Sequence, residues 1–239
     1  MNILLIGGNG GIGQGLMLQL HEQLPSAQII ATWHRQQPAL HLARVHWVQC
    51  DVACEASVSA LASECEKQLG DIHWCINTVG ILHKEDTTPE KAINQLSEAF
   101  FLENIKLNTL PTLLLAKHLG KRFDKTQAAI FATISAKVGS IEDNRLGGWY
   151  SYRSSKAAVN MALKTLSIEW QRKLPKLCVA AIHPGTTKTQ LSAPFTRNTP
   201  SDKLFSTERT ARQIVEILRG LRPADTGKFW SWDGSELPW

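Results

Sequence analysis

Seven short apolar runs, separated by helical or glycine-led stretches, restrict this chain more than any other feature. They are Ile3–Ile6, Ile29–Thr32, Val45–Cys50, Ile72–Asn77, Ala128–Ile134, Cys178–His183 and Lys228–Trp232. Their apolar character is nearly continuous, as parallel strands covered on both faces require; strands with one wet face would alternate. Between them, Val58, Leu61, Ala62, Cys65 and Leu69 recur at helical spacing, as do Ala211, Ile214, Val215, Leu218 and Leu221. A long helix is expected from about Glu98 to Leu119, stopped by Gly120, and Thr88-Pro-Glu reads as the capped start of another. Strands alternating with helices predict a doubly wound α/β fold with right-handed crossovers and a mostly parallel, seven-stranded sheet flanked by helices. No repeat, low-complexity tract or Gly/Ser/Pro linker divides the chain, so residues 1–239 are expected to form one domain. The least regular stretch, Thr186 to Ser206, follows a strand end, where ligands gather in such sheets, and is a candidate substrate lid.

Composition excludes more than it assigns. At 43% hydrophobic and 20% charged residues the chain can bury a full core. Its net charge of +5 comes with no dense Lys/Arg block and no recognition motif, which argues against nucleic acid as the partner. The five cysteines, Cys50, Cys54, Cys65, Cys75 and Cys178, form no CxxC pair and lie mostly in apolar runs. They read as free thiols in a reducing compartment, with no metal site. Ile3–Ile6 ends directly in glycines, reading as a first strand, and no run is long enough to span a membrane. A cytoplasmic location is expected, with no membrane partner.

The first apolar run leads straight into Gly7-Gly-Asn-Gly-Gly-Ile-Gly13 and then into an apolar helix. Glycine is needed at such a junction because the chain turns sharply, its backbone approaches a pyrophosphate, and the helix packs close to the strand. The helix N-terminus then offers free N–H groups and the positive end of its dipole. Gly7, Asn9, Gly11, Ile12 and Gly13 are therefore the expected phosphate-binding set. The second strand ends Thr32-Trp-His-Arg35, with no carboxylate to bind a ribose 2′-hydroxyl or repel a 2′-phosphate. Arg35 offers a guanidinium instead, and NADP(H) is expected over NAD(H).

Further along, Tyr152 and Lys156 stand four apart in Gly147-Gly-Trp-Tyr-Ser-Tyr-Arg-Ser-Ser-Lys156 and would share a helix face. A phenol titrates near pH ~10, and an adjacent ammonium is expected to bring it toward neutrality. Tyr152 would then exchange a proton with a substrate oxygen, while Lys156 also anchors a ribose.

With the glycine turn, this pair resembles the short-chain dehydrogenase/reductase family, in the single-domain Rossmann branch and its sniffer-type carbonyl reductase and C-factor signalling group. The resemblance spans the chain. It implies adenine contacts at Asp51 and Val52, the Asn77-Thr-Val-Gly80 motif after the fourth strand, and a proton-relay asparagine at Asn108. Pro184, Gly185 and Thr189 match the stretch that holds the carboxamide. The tail Phe229-Trp-Ser-Trp-Asp-Gly234 and Pro238-Trp239 resembles the same group. One position departs: the family serine three residues before a glycine falls, counted from Gly139, on Ala136. Ser135 is favoured for that role after a small loop shift, with Ser140 as the alternative.

Several residues are assigned blander roles. His183 is expected to be structural; Trp149, Trp170, Trp230 and Trp232 are expected in the core or at a subunit contact; Met17 and Met161 are expected to fill the core. The resemblance implies hydride transfer between a nicotinamide and a carbonyl or alcohol, the catalytic set being Asn108, Ser135, Tyr152 and Lys156. It also implies a homodimer or homotetramer. The alternative it allows is a dinucleotide-binding signalling protein with little turnover. Substrate choice would lie with the loops Ile81–Pro89, Gly139–Tyr150 and Thr186–Ser206.

Overall fold

The computed structural model describes residues 1–239. In chain order it comprises β1 (Asn2–Ile6), α1 (Gly11–Gln23), β2 (Gln28–Trp33), β3 (Val45–Gln49), α2 (Glu55–Gln68), β4 (Trp74–Asn77) and α3 (Glu98–Asn104). There follow α4 (Leu110–Leu119), β5 (Ala129–Ile134), α5 (Tyr150–Lys173), β6 (Leu177–His183), the two-residue strands β7 (Thr186–Thr187) and β8 (Leu204–Phe205), α6 (Thr207–Gly220), β9 (Lys228–Ser231) and β10 (Glu236–Leu237).

The main sheet runs β10-β9-β6-β5-β4-β1-β2-β3. All seven expected strands pair in parallel, and β10 adds an antiparallel edge that its two residues do not announce in the sequence. Alternate residues of each strand feed opposite layers. Leu4 and Ile6 pack with Val58 and Leu61 of α2, Leu115 of α4, and Val159 and Leu163 of α5. Ile3 and Leu5 pack with Leu16 and Leu20 of α1 and Ile214 and Leu218 of α6. Burial on both faces explains why β1, β2, β4, β5 and β6 lack polar alternation; β3, at the sheet edge, is only half-buried, with His46 and Gln49 exposed. The order reverses between β1 and β4, and in a doubly wound sheet the crevice beyond the strand ends at that point is the natural ligand position.

Three expectations about elements change. The long helix is interrupted by a π turn at Ile105–Thr109, so α3 and α4 are separate. Pro111 has no N–H for the carbonyl four residues back, and the Leu110 amide reaches Ile105 O, five back. Thr88-Pro-Glu starts no helix: the first turn after it is the 3₁₀ segment Ile93–Gln95. Glu90 instead points inward, only 3% exposed, toward the start of α5. Met161 is 65% exposed on the outer face of α5 and fills no core, whereas Met17 is buried. Cys50, Cys65, Cys75 and Cys178 are buried free thiols, and Cys54 is exposed. No helix is long and apolar enough to cross a membrane.

Candidate active site

The glycine turn is closed by contacts that leave no room for a Cβ. Gly7 has φ +77, and a Cβ there would lie 2.7 Å from Thr78 Oγ1; one on Gly13 would lie 2.1 Å from the Gly7 carbonyl oxygen. The Gly7 amide donates to Thr32 Oγ1 (2.9 Å), tying the turn to β2. At α1 the N-cap is Gly10, no side chain caps the helix, and no carboxylate lies in its first turn. Its leading amides are left for an anion, and the glycines let one approach. This cradle fits a dinucleotide pyrophosphate. Thr189 closes over it, since a Cβ on Gly11 would meet Thr189 Cγ2 at 2.7 Å.

Beside the turn, a cleft is lined by Gly7, Asn9, Trp33, His34, Asp51, Val52 and Gly80. Arg35, the expected phosphate ligand, is not in that lining; His34 is. Thr32, Trp33 and His34 all border the cleft at the end of β2, while Arg35, past the strand, does not. His34 Nε2 lies 3.8 Å from Asp51 Oδ2. Asn77 does not reach this cleft: it is fully buried, donates to Thr112 Oγ1 (3.1 Å) and accepts from the Val79 amide (3.1 Å), bracing the turn after β4.

A second cavity, about 270 Å³, brings Ile12, Gly80, Pro184, Gly185 and Thr189 together with Ser135, Tyr152 and Lys156. Tyr152 and Lys156 lie on the inward face of α5, 7% and 4% exposed. Gly139 allows that closeness, because a Cβ there would come within 2.7 Å of Lys156 Cβ. The Lys156 ammonium donates to the Ile134 carbonyl (3.1 Å) and lies 5.7 Å from the Tyr152 ring centre. Burial sets both titrations. It raises the Tyr152 phenol above its ordinary value and pulls Lys156 down to about 8. The expected lowering of the phenol by the ammonium is not seen: burial moves it the other way. The site holds a neutral phenol beside a cation whose charge is poorly solvated.

Asn108 sits in the π turn. Its amide oxygen accepts from the Ile81 N–H (2.6 Å), and its NH2 group donates to Ile81 O (3.0 Å) and Ser155 Oγ (2.8 Å). Ser155 Oγ in turn donates to the Tyr152 carbonyl (2.8 Å). Asn108 therefore locks the strand-4 loop to the helix carrying the phenol. Ser135 reaches the cavity wall, but its hydroxyl donates to buried Asn160 Oδ1 (2.6 Å), leaving only its lone pairs for another partner. Ser140 lies elsewhere, donating to the Trp239 carbonyl (3.2 Å) and accepting from the Asp143 amide (3.1 Å).

Two wall residues escape the sequence reading. Trp149 is half-buried and outside the core clusters: it lines the cavity, with ring centres 5.2 Å from Phe195 and 6.2 Å from Tyr152. His183 also lines it, with the Lys137 amide donating to its Nδ1 (3.2 Å). Burial pulls this imidazole down to about 4, so it is neutral and carries its proton on Nε2. The segment after β6 closes through the β7–β8 pair and places Leu191, Phe195 and Thr199 on the same wall.

Residues 1–200 match the short chain dehydrogenase family model. A 1-hydroxy-2-glutathionyl-2-methyl-3-butene dehydrogenase of Rhodococcus sp. (strain AD45) is 25% identical over 249 residues, covering 99% of each chain. Among solved structures, the carbonyl reductase Sniffer of D. melanogaster superposes with a TM-score of 0.87 at 24% identity, over 100% of this chain and 99% of that one. An NADPH-bound carbonyl reductase from chicken fatty liver gives 0.84 at 25% identity, over 100% and 98%. The chain belongs to the short-chain dehydrogenase family and is an NAD(P)-dependent oxidoreductase.

Proposed function

We propose that this chain is an NADPH-preferring carbonyl reductase whose single domain supplies both cofactor cradle and catalytic groups. The observation that carries this reading is the shared cavity, in which a neutral phenol and an adjacent ammonium face the residues closing the glycine turn. When bound, the nicotinamide supplies the hydride chemistry. The protein's part is to bind, orient and deliver a proton. Gly7, Asn9, Gly11, Ile12 and Gly13 hold the pyrophosphate; Asp51 and Val52 border the adenine; Gly80, Pro184, Gly185 and Thr189 flank the nicotinamide end, and Asn77 holds the β4 turn in shape. Tyr152 protonates the carbonyl oxygen, Lys156 stabilises the phenolate left behind, and Asn108 fixes the helix that carries them. Ser135 is the proposed hydroxyl beside the substrate oxygen, acting through its lone pairs or after release from Asn160. The test is a panel of aldehydes, ketones and quinones followed by NADPH absorbance, run on the natural chain and on Ser135→Ala. NADPH consumption with at least one class is expected, with a slower variant. No consumption across the panel would sink the reductase reading, and an unchanged variant would remove Ser135 from it.

The preference for NADP(H) is supported by the absence of a carboxylate on β2's last residues and by His34 at the edge of the ribose cleft, with Arg35 as an outer charge. A hydrogen bond to a charged group is worth about 1.5–3 kcal/mol, so His34→Ala is expected to weaken NADPH binding about ten-fold or more. NADH binding should change little, and Arg35→Ala should act less than His34→Ala. Dissociation constants from fluorescence titration check this; tighter NADH than NADPH binding by the natural chain would reject the preference.

Pairing with a second copy is proposed through the outer faces of α3, α4 and α5, where Leu102, Leu113, Met161 and Ile168 are all exposed. Sedimentation velocity decides between a monomer and a dimer or tetramer. The free thiols support a reducing, cytoplasmic location, which microscopy of the tagged chain in its own cells would contradict by showing it elsewhere.

A further inference from the structure

The start of α5 is built in an unusual way. Gly147, Gly148 and Trp149 have φ +64, +66 and +53, three successive left-handed residues, of which the last is a bulky aromatic. Trp149 is the N-cap of the helix, yet its side chain makes no capping hydrogen bond. The amides of the first turn must find acceptors elsewhere. The Ser151 amide, together with the amide of the N-cap itself, finds one on Glu90, more than fifty residues earlier. Its backbone carbonyl accepts from the Trp149 amide (2.5 Å), and its carboxylate accepts from the Ser151 amide (3.1 Å) and from the Ser151 hydroxyl. Gly148 lies against the same segment: a Cβ there would meet the Glu90 carbonyl at 3.4 Å. Glu90 and Ser151 are 3% and 0% exposed, so water does not substitute for either.

Two parts of the site depend on that junction. Tyr152 follows Ser151 directly, and the Trp149 indole stands against both Tyr152 and Phe195. We propose that Glu90 is a positioning residue of the active site: its carboxylate and carbonyl clamp residues 149–151, fixing the phenol of Tyr152 and the indole wall of the substrate cavity together. A carboxylate at a helix N-terminus also suits the dipole there. The glycine cradle makes no use of this clamp, so the pyrophosphate end of the cofactor is held without it. The kinetic consequence rests on the reductase reading above; the clamp itself does not.

The test compares Glu90→Ala and Glu90→Gln with the natural chain by amide hydrogen exchange over residues 147–155 and by kinetics. Exchange is expected to rise in Glu90→Ala and to be intermediate in Glu90→Gln, which keeps one acceptor oxygen. A misplacement of about 1 Å can cost up to about 10²-fold, so kcat/KM should fall about 10- to 100-fold in Glu90→Ala. Most of the loss should lie in kcat, with the NADPH dissociation constant held within about two-fold and glutamine recovering part of the rate. A simple loss of folded protein would move all these together. Natural exchange rates in both variants would overturn the clamp, as would faster exchange with unchanged kcat/KM. Faster exchange in variants of a chain that reduces no carbonyl would leave the clamp standing and remove the reductase reading alone. Should Glu90→Ala not fold, Glu90→Gln and Ser151→Ala give the same comparison.

Discussion

Tyr152→Phe is expected to lower turnover about 10²- to 10⁴-fold, the range for removing a general acid, while NADPH binding stays within about two-fold. The ring would keep its edge contact with Trp149, and only the hydroxyl is lost, so the fold should tolerate the change. Burial keeps the phenol protonated at neutral pH but makes it a weaker acid, so giving up its proton depends on stabilisation of the phenolate, which the neighbouring Lys156 ammonium can supply. The loss should therefore appear in kcat for carbonyl reduction, measured under NADPH saturation. Binding checked by fluorescence on the same sample separates a missing proton from a missing cofactor. A variant that turns over at the natural rate would remove Tyr152 from the chemistry.

The parts of the site that could be read from the chain alone are those whose partners lie close in sequence or follow a fixed period. The glycine turn is one, because a strand running into Gly7 and a helix leaving Gly13 are contiguous. Tyr152 and Lys156 are another, because four residues on a helix put them on one face. The inner strands are legible because burial on both faces strips them of polar residues. The choice between His34 and Arg35 is not encoded this way: both lie past the end of β2, where strand alternation no longer applies, and Arg35 only offers the better phosphate ligand in isolation. Glu90 was misread for a different reason. Thr88-Pro-Glu carries the local signs of a helix start, but the acceptors are used by a helix more than fifty residues away, and no local pattern encodes that. The place of Trp149 on the cavity wall is not legible locally, because nothing in its neighbours fixes a left-handed backbone at a tryptophan. That conformation costs about 1–2 kcal/mol and is sustained only by tertiary contacts. The π turn at Asn108 has a sequence trace in Pro111, visible in retrospect as a missing amide inside an apolar helix.

Lys156→Met is expected to abolish most turnover and, at neutral pH, to make the protein more stable. The folded chain holds this ammonium at about 8 against an ordinary 10.5, because burial removes its water. A value lowered on folding means that the unfolded chain binds the proton more readily. Stability from this group therefore rises as pH climbs from about 8 to 10.5, and below about 8 the buried charge costs about 3 kcal/mol. Methionine removes that cost but leaves the Ile134 carbonyl without its donor, a loss of about 1 kcal/mol or more. The charge is the larger effect, so a higher Tm at pH 7 and a smaller gain near pH 10 are expected by calorimetry. Turnover should move the other way. In reduction the ammonium is needed to stabilise the phenolate formed as Tyr152 gives up its proton, so kcat/KM in the natural chain should fall as pH rises through about 8. Lys156→Arg keeps its charge throughout that range. Whatever rate its bulkier head allows beside Gly139, the fall near pH 8 should be missing from its profile. A stable but active methionine variant would show that the charge has no part in the reaction, and an arginine variant with the same alkaline fall would show that some other group titrates there.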